Sequence, residues 1–205
     1  MIDDDPTCVD ASYRLFRIAD HQSGYFTAAD AEAVGYSYPL QSYHKAQGKW
    51  LDAGWGLYRL RDYPHTDDEE LVRLSLWSRD KKGKPQAVVS HDTALRLYGL
   101  TDLLPNKIHL TVPKKFRKAP PGGVVLHKGI LGKPDSRAQG AFRVTTPLRT
   151  LIDFATSDAS PEHLQTALGE AITRGLLRRA ALLDTLPTLP EHARVRLDRA
   201  LQVSP

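Results

Sequence analysis

The sequence predicts an α+β fold in two parts, and three observations carry that expectation. Residues 11–47 hold three short helical segments closed in turn by Gly24, Gly35 and Gly48, after which the apolar period drops to that of a strand. Residues 64–155 hold four short β-branched segments interleaved with helical ones, the pattern of a mixed α/β domain with a small sheet. The remainder is helical, broken only by Pro187 and Pro190.

The first helix covers 11–22, with Asp10 at its N-cap and Leu15, Ile18 and Ala19 on one face. Tyr25-Phe26 is a short extended stretch, and Thr27 caps a second helix over 28–34. Two turns are too few to hold alone, so its neighbours must support it. Ser37 caps the third helix, which tolerates Pro39 in its first turn and runs to Gln47. Trp50-Leu51, the glycine-rich turn 52–56 and Leu57-Tyr58-Arg59-Leu60 then read as strand, turn, strand. Three short helices followed by a hairpin is the order of a winged helix-turn-helix, here over 11–62. Its Gly35-Tyr36-Ser37 turn separates the supporting helix from the recognition helix. Residues 1–10 are expected to be a flexible acidic tail.

Tyr63-Pro64-His65 opens the second part, residues 63–205. An acidic run, 67–70, starts a helix that continues through Leu71, Leu74, Ser75 and Trp77, and 80–85 is a solvated connector. Strands are expected at 87–89, 108–112, 124–126 and 142–144, with helices over 91–98 and 147–155. Further helices are expected over 161–176, 179–186 and 191–202. In the first of these, Leu164, Ala167, Leu168, Ala171 and Ile172 form one apolar stripe.

Composition narrows the function. Of 205 residues, 28 are Lys or Arg and 24 Asp or Glu, for a net charge of +4. The hydrophobic fraction, 41%, is that of a globular protein. One cysteine, Cys8, excludes an internal disulfide and a multi-cysteine zinc site. No apolar run reaches the roughly 18 residues that a membrane span needs, and the acidic start lacks signal-peptide features, so a soluble cytoplasmic protein is expected. Residues 1–62 are net −3 and residues 63–205 net +7, so any nucleic-acid reading rests on local placement.

On the third helix, Tyr38, Gln41, Ser42 and Lys45 face outward if Leu40 and His44 pack inward with Trp50. Gln reads adenine, Ser is an adaptable partner, and Lys reaches guanine or phosphate. Lys49, Arg59 and Arg61 would then hold phosphates. The same four residues would equally suit the polar face of a surface helix. Lys114, Lys115, Arg117 and Lys118 form a second basic patch around Phe116, able to hold nucleic-acid backbone or simply to solvate a loop.

Ser90-His91-Asp92 spells a catalytic triad, but adjacent side chains do not converge as a triad requires. Ser90 reads instead as the N-cap of the next helix, with Asp92 in its first turn. Thr146-Pro147 is a strong helix start, and Arg149 and Asp153 can pair across one turn while Leu148, Leu151 and Ile152 bury the other face. The eight histidines lack metal-site spacing, and no phosphate-cradling glycine loop is present. No catalytic, metal or cofactor set is expected.

Several stretches recur here in a characteristic order: Gly35-Tyr36-Ser37 with Leu40-Gln41-Ser42-Tyr43-His44, then Gly56-Leu57-Tyr58-Arg59-Leu60. Val89-Ser90-His91 with Ala94-Leu95 and Tyr98-Gly99-Leu100 follows. Ile108-His109-Leu110-Thr111-Val112-Pro113 and Thr146-Pro147 with Arg149-Thr150 and Asp153 complete the set. Together, over roughly 11–180, they resemble the AbiEi-like antitoxin and transcriptional regulator family of type IV toxin–antitoxin systems. The resemblance implies a non-enzymatic bacterial protein whose winged helix binds inverted repeats in its own promoter and represses the operon. It also implies a C-terminal domain that counteracts a nucleotidyltransferase-like toxin encoded next door. The alternatives are an interaction module whose winged helix contacts protein, or a nucleic-acid-processing enzyme.

Overall fold

In the computed structural model, which describes residues 6–102, 106–157 and 160–203, helix α1 (Pro6–Asp20) begins at a proline, a residue pre-shaped for a first helical turn. Residues 6–10, expected as tail, therefore belong to α1, and Asp3-Asp4-Asp5 lie outside the described residues. Leu15 and Ala19 are buried and Ile18 half-buried on its inner face. Gly24, at φ +85°, turns the chain into β1 (Tyr25–Thr27); a Cβ there would lie 2.6 Å from the Tyr63 ring, so only glycine fits.

Thr27 forms a full capping box on α2 (Ala28–Ala33): its hydroxyl accepts from Asp30 N–H at 2.9 Å, and the Asp30 carboxylate accepts from Thr27 N–H at 2.8 Å. Helix α3 (Tyr38–Ala46) follows, then β2 (Trp50–Gly54) and β3 (Leu57–Leu60). The extended stretch at Tyr25 becomes a third strand, giving an antiparallel sheet in the order β1-β3-β2. The core of this unit gathers Leu15, Ala19, Phe26, Ala31, Val34 and Tyr36 around Trp50. Phe26 and Tyr36 meet Trp50 edge-on at 4.8 and 5.0 Å, and His44 stacks on it at 5.0 Å, the favoured aromatic geometries.

Helix α4 (Glu69–Trp77) belongs to the same unit, although the break at Tyr63-Pro64 places it in the second part by sequence. Its side chains explain why: Arg73 reaches the Ala53 carbonyl at 3.4 Å, Glu69 meets Arg59 at 3.4 Å, and Arg79 just beyond it meets Asp30 at 3.5 Å. The chain divides into two compact units, Met1–Gln86 with Gly140–Phe142, and Ala87–Gln139 with Arg143–Pro205.

The second unit holds a five-stranded mixed sheet in the order β6-β5-β4-β8-β7, where β4 is Val88–Val89, β5 Ile108–Pro113, β6 Val124–Gly129, β7 Ser136–Gln139 and β8 Phe142–Thr145. Strands β4 and β8 run parallel, with Val89 opposite Val144. Helix α5 (His91–Leu97) follows β4, and α6 (Pro147–Thr156) follows β8. Tyr98 just beyond α5 donates its hydroxyl to the Thr145 carbonyl at 2.7 Å. Helices α7 (Pro161–Thr173), α8 (Arg179–Thr185) and α9 (Glu191–Val203) complete the unit; α6, α7 and α9 pack together, and Leu164, Ala167, Leu168 and Ala171 of the expected stripe are buried. The molecule is thus α+β, with two small sheets and C-terminal helices.

Candidate nucleic-acid interface

Helix α3 has one face in the core and one in solvent. Three and four residues apart on the outer face, Tyr38 is 82% exposed and Ser42 and Lys45 are exposed, joined by Lys49 just beyond the helix end. Gln41 is not among them. Its side chain is buried and its amide donates to the Tyr36 carbonyl at 2.9 Å and the Ala28 carbonyl at 3.2 Å. Those bonds tie α3 to the preceding turn and to the start of α2, so Gln41 is a structural residue and leaves the base-reading set. His44 packs inward, as its spacing required.

The hairpin cations divide in the same way. Arg61 is exposed, its Nε donating to the Gly48 carbonyl, and Lys49 is exposed beside it in sequence register, since Arg61 N–H bonds to the Lys49 carbonyl at 3.0 Å. Arg59, by contrast, is 5% exposed. Its guanidinium donates to the carbonyls of Tyr63 at 2.9 Å, Pro64 at 3.1 Å and Leu60 at 3.3 Å, and pairs with Glu69. A guanidinium so occupied cannot take up a phosphate; it fastens the chain after β3 to α4.

Lys45 carries the charge at the centre of the exposed face. It lies 3.4 Å from the Asp52 carboxylate and 5.1 Å from the centre of the Tyr58 ring. The Tyr58 hydroxyl first, and Asp52 after it, hold the ammonium above its ordinary range. Asp52 itself is held below the usual carboxylate range, chiefly by the Gly54 N–H that it accepts at 2.8 Å and then by Lys45.

The hairpin tip is engaged within its own unit. Gly54, Trp55 and Gly56 all have φ between +55° and +78°, a turn that projects Trp55 sideways. The Trp55 ring lies 4.8 Å from the Arg73 guanidinium and 6.1 Å from the Trp77 ring, both on α4. Trp55 is thus contacted by α4 yet remains 51% exposed, and the exposed cations of the ribbon, Lys49 and Arg61, lie at its base.

In the second unit, Lys114, Lys115, Arg117 and Lys118 are exposed on the loop after β5, anchored by buried Phe116. Ser90 precedes α5 but makes no side-chain cap; its buried hydroxyl instead contacts His91 Nδ1 and Thr111 Oγ1, each at 2.9 Å. Arg149 pairs with Asp153 at 2.8 Å as its spacing predicts, yet Asp153 is 5% exposed and on the buried face. Leu151 is buried there too, while Leu148 and Ile152 are half-buried. His91, His109 and His127, drawn from α5, β5 and β6, form a contact cluster that no sequence spacing announces. Among the described residues, no group of three or more His, Cys, Asp or Glu side chains is arranged to hold a metal ion, and no helix is long and apolar enough to cross a membrane.

No curated protein matches the chain. The AbiEi antitoxin C-terminal domain family matches residues 87–202, which coincides with the second unit and spans more than half of the sequence. The chain accordingly belongs to the AbiEi antitoxin family, and its role is that of an antitoxin in a toxin–antitoxin system.

Proposed function

We propose that this antitoxin is also a DNA-binding autorepressor, with residues 11–62 acting as a winged helix-turn-helix on inverted repeats in its own promoter. The observation that carries this reading is the open outer face of α3, where Tyr38, Ser42 and Lys45 stand exposed while the inner face of the same helix is locked by Gln41 and His44. A helix held on one side and free on the other suits insertion in a major groove, with Lys49 and Arg61 holding phosphates at its flank. The basic loop at Lys114, Lys115, Arg117 and Lys118 is the candidate for a second backbone contact, which the salt slope of binding decides. The C-terminal unit counteracts a nucleotidyltransferase-like toxin, and the protein works in the cytoplasm, as a binding protein and not an enzyme.

Exposed Tyr38, Tyr43 and Leu51, with Lys45 internally paired, favour a second reading in which this face contacts protein. Fluorescence anisotropy of the full chain on its own upstream DNA, against a scrambled duplex, separates the two. The first reading expects at least ~100-fold preference for the upstream sequence at physiological salt, and at least a tenfold loss on Lys45→Glu. Equal affinity for both duplexes at low and physiological salt removes the repressor reading and leaves the antitoxin role intact.

A further inference from the structure

The histidine cluster of the second unit is used neither by the proposed DNA contact nor by any capping or packing signal in the sequence. His91 opens α5 at φ +51°, in the left-handed region, a costly conformation for a residue with a bulky side chain. That turn brings its ring onto β6: the His91 and His127 rings are within 15° of parallel, with centroids 3.6 Å apart. His127 Nε2 lies 3.1 Å from His109 Nδ1, and that same His109 nitrogen lies 3.6 Å from the Asp92 carboxylate.

The hydrogen bonding fits neutral rings. Ser90 Oγ accepts from Thr111 and has its own proton to offer His91 Nδ1, a bond that a neutral His91 can accept. The His127–His109 contact needs one N–H and one lone pair, so two protonated rings would set N–H against N–H. The charged groups facing the cluster are Asp92 on α5, Lys107 ahead of β5 and Arg149 on α6, one carboxylate against two cations. Asp92, beside His109, can therefore compensate one entering proton but not one on each ring.

We propose that His91, His127 and His109 form an acid-operated latch that holds the β5–β6 edge of the antitoxin unit against the start of α5, closed while the rings are neutral and released as they take up protons. Burial holds all three rings below the ordinary histidine range, His91 at about 3. The closed state thus refuses protons that an opened one accepts near pH 6.5. Its advantage is complete above that pH and is lost as pH falls. From His91 alone, the closed-to-open ratio drops roughly thirtyfold between pH 7.5 and pH 5. The proposal concerns the second unit alone and is independent of the DNA-binding reading.

Amide hydrogen exchange of the full chain at pH 7.5 and pH 5, corrected for intrinsic exchange, tests it. Protection of β5 and β6 amides is expected to fall at least tenfold at pH 5 while α7 and α9 amides hold. The double variant His91→Asn/His127→Phe keeps a left-handed-tolerant residue and a stacking ring that cannot titrate; its protection should change no more than threefold. Undiminished wild-type protection at pH 5, or the same loss in the double variant, overturns the latch. Should that variant not fold, ring titration of the wild-type protein by NMR decides. Depressed midpoints with strand opening at the same pH support the latch, and ordinary midpoints near 6.5 or opening at an unrelated pH overturn it.

Discussion

Asp52 shows how one carboxylate sets both shape and affinity. It accepts the Gly54 N–H that closes the hairpin, and it neutralises Lys45 on the face proposed to meet DNA. Asp52→Asn keeps the acceptor and removes the charge. Promoter affinity should rise severalfold at low salt, with a salt slope steeper by about 0.9 as Lys45 becomes available to a phosphate, measured by anisotropy across a salt series. Asp153 argues a different point. Burial pushes its carboxyl up to about 6, and Arg149 offsets that only in part. The folded state therefore retains a proton that the unfolded chain releases near pH 4, and stability declines as pH climbs from about 4 to 6. Denaturation of Asp153→Asn and the parent at pH 4 and pH 7 should show their stability difference moving by about 2 kcal/mol in favour of the variant at pH 7. The His91 cluster runs with the opposite sign, losing stability as pH falls, so the parent–variant difference, and not the parent's own profile, isolates Asp153.

At the scale of elements, short pieces hold because they borrow partners. Helix α2 has six residues and stands on the Thr27–Asp30 box and on buried Ala31. The β2–β3 ribbon is fixed at both ends, by the Gly48–Arg61 contact at its base and by Trp55 against Arg73 and Trp77 at its tip. Trp55→Ala removes the cation–π and aromatic contacts together and should lower the unfolding free energy of the protein by about 1–2 kcal/mol in urea. DNA affinity measured where the variant is fully folded should change less than twofold, since the proposed contacts lie at the ribbon's other end. A large affinity loss would put the tip on the duplex.

For the whole molecule, the small net charge of +4 limits how much electrostatics can contribute to DNA affinity. With Arg59 committed to backbone carbonyls, Lys45, Lys49 and Arg61 are the cations left at the proposed first-unit interface. Because Asp52 neutralises Lys45, phosphate neutralisation falls to Lys49 and Arg61 and gives a slope of about −1.8 in log affinity against log salt for each protomer, which Asp52→Asn steepens to about −2.7. A slope of about −5.4 would instead count in the four basic residues of the 114–118 loop, and Lys114→Glu/Lys115→Glu would then flatten it.

Periodicity and punctuation sufficed for the helices and most strands, because glycines 24, 35 and 48 and the Thr27 and Thr146-Pro147 starts act within a few residues of where they stand. Strand β7 escaped that reading because Ser136–Gln139 is polar and forms a sheet edge, so it carries no apolar alternation. The family, too, was legible in the order of short motifs. What the sequence could not decide was the destination of individual polar side chains. Gln41 and Lys45 lie four apart on one short helix, and Arg59 and Arg61 are two apart on a short strand and just past its end. Tertiary structure buried Gln41 and Arg59 and left Lys45 and Arg61 in solvent. The reason is that a buried amide or guanidinium is tolerated only where carbonyls from other segments converge on it, and convergence across 28–41 or 59–69 is a property of the folded chain. The meeting of His91, His109 and His127 across three elements has the same origin.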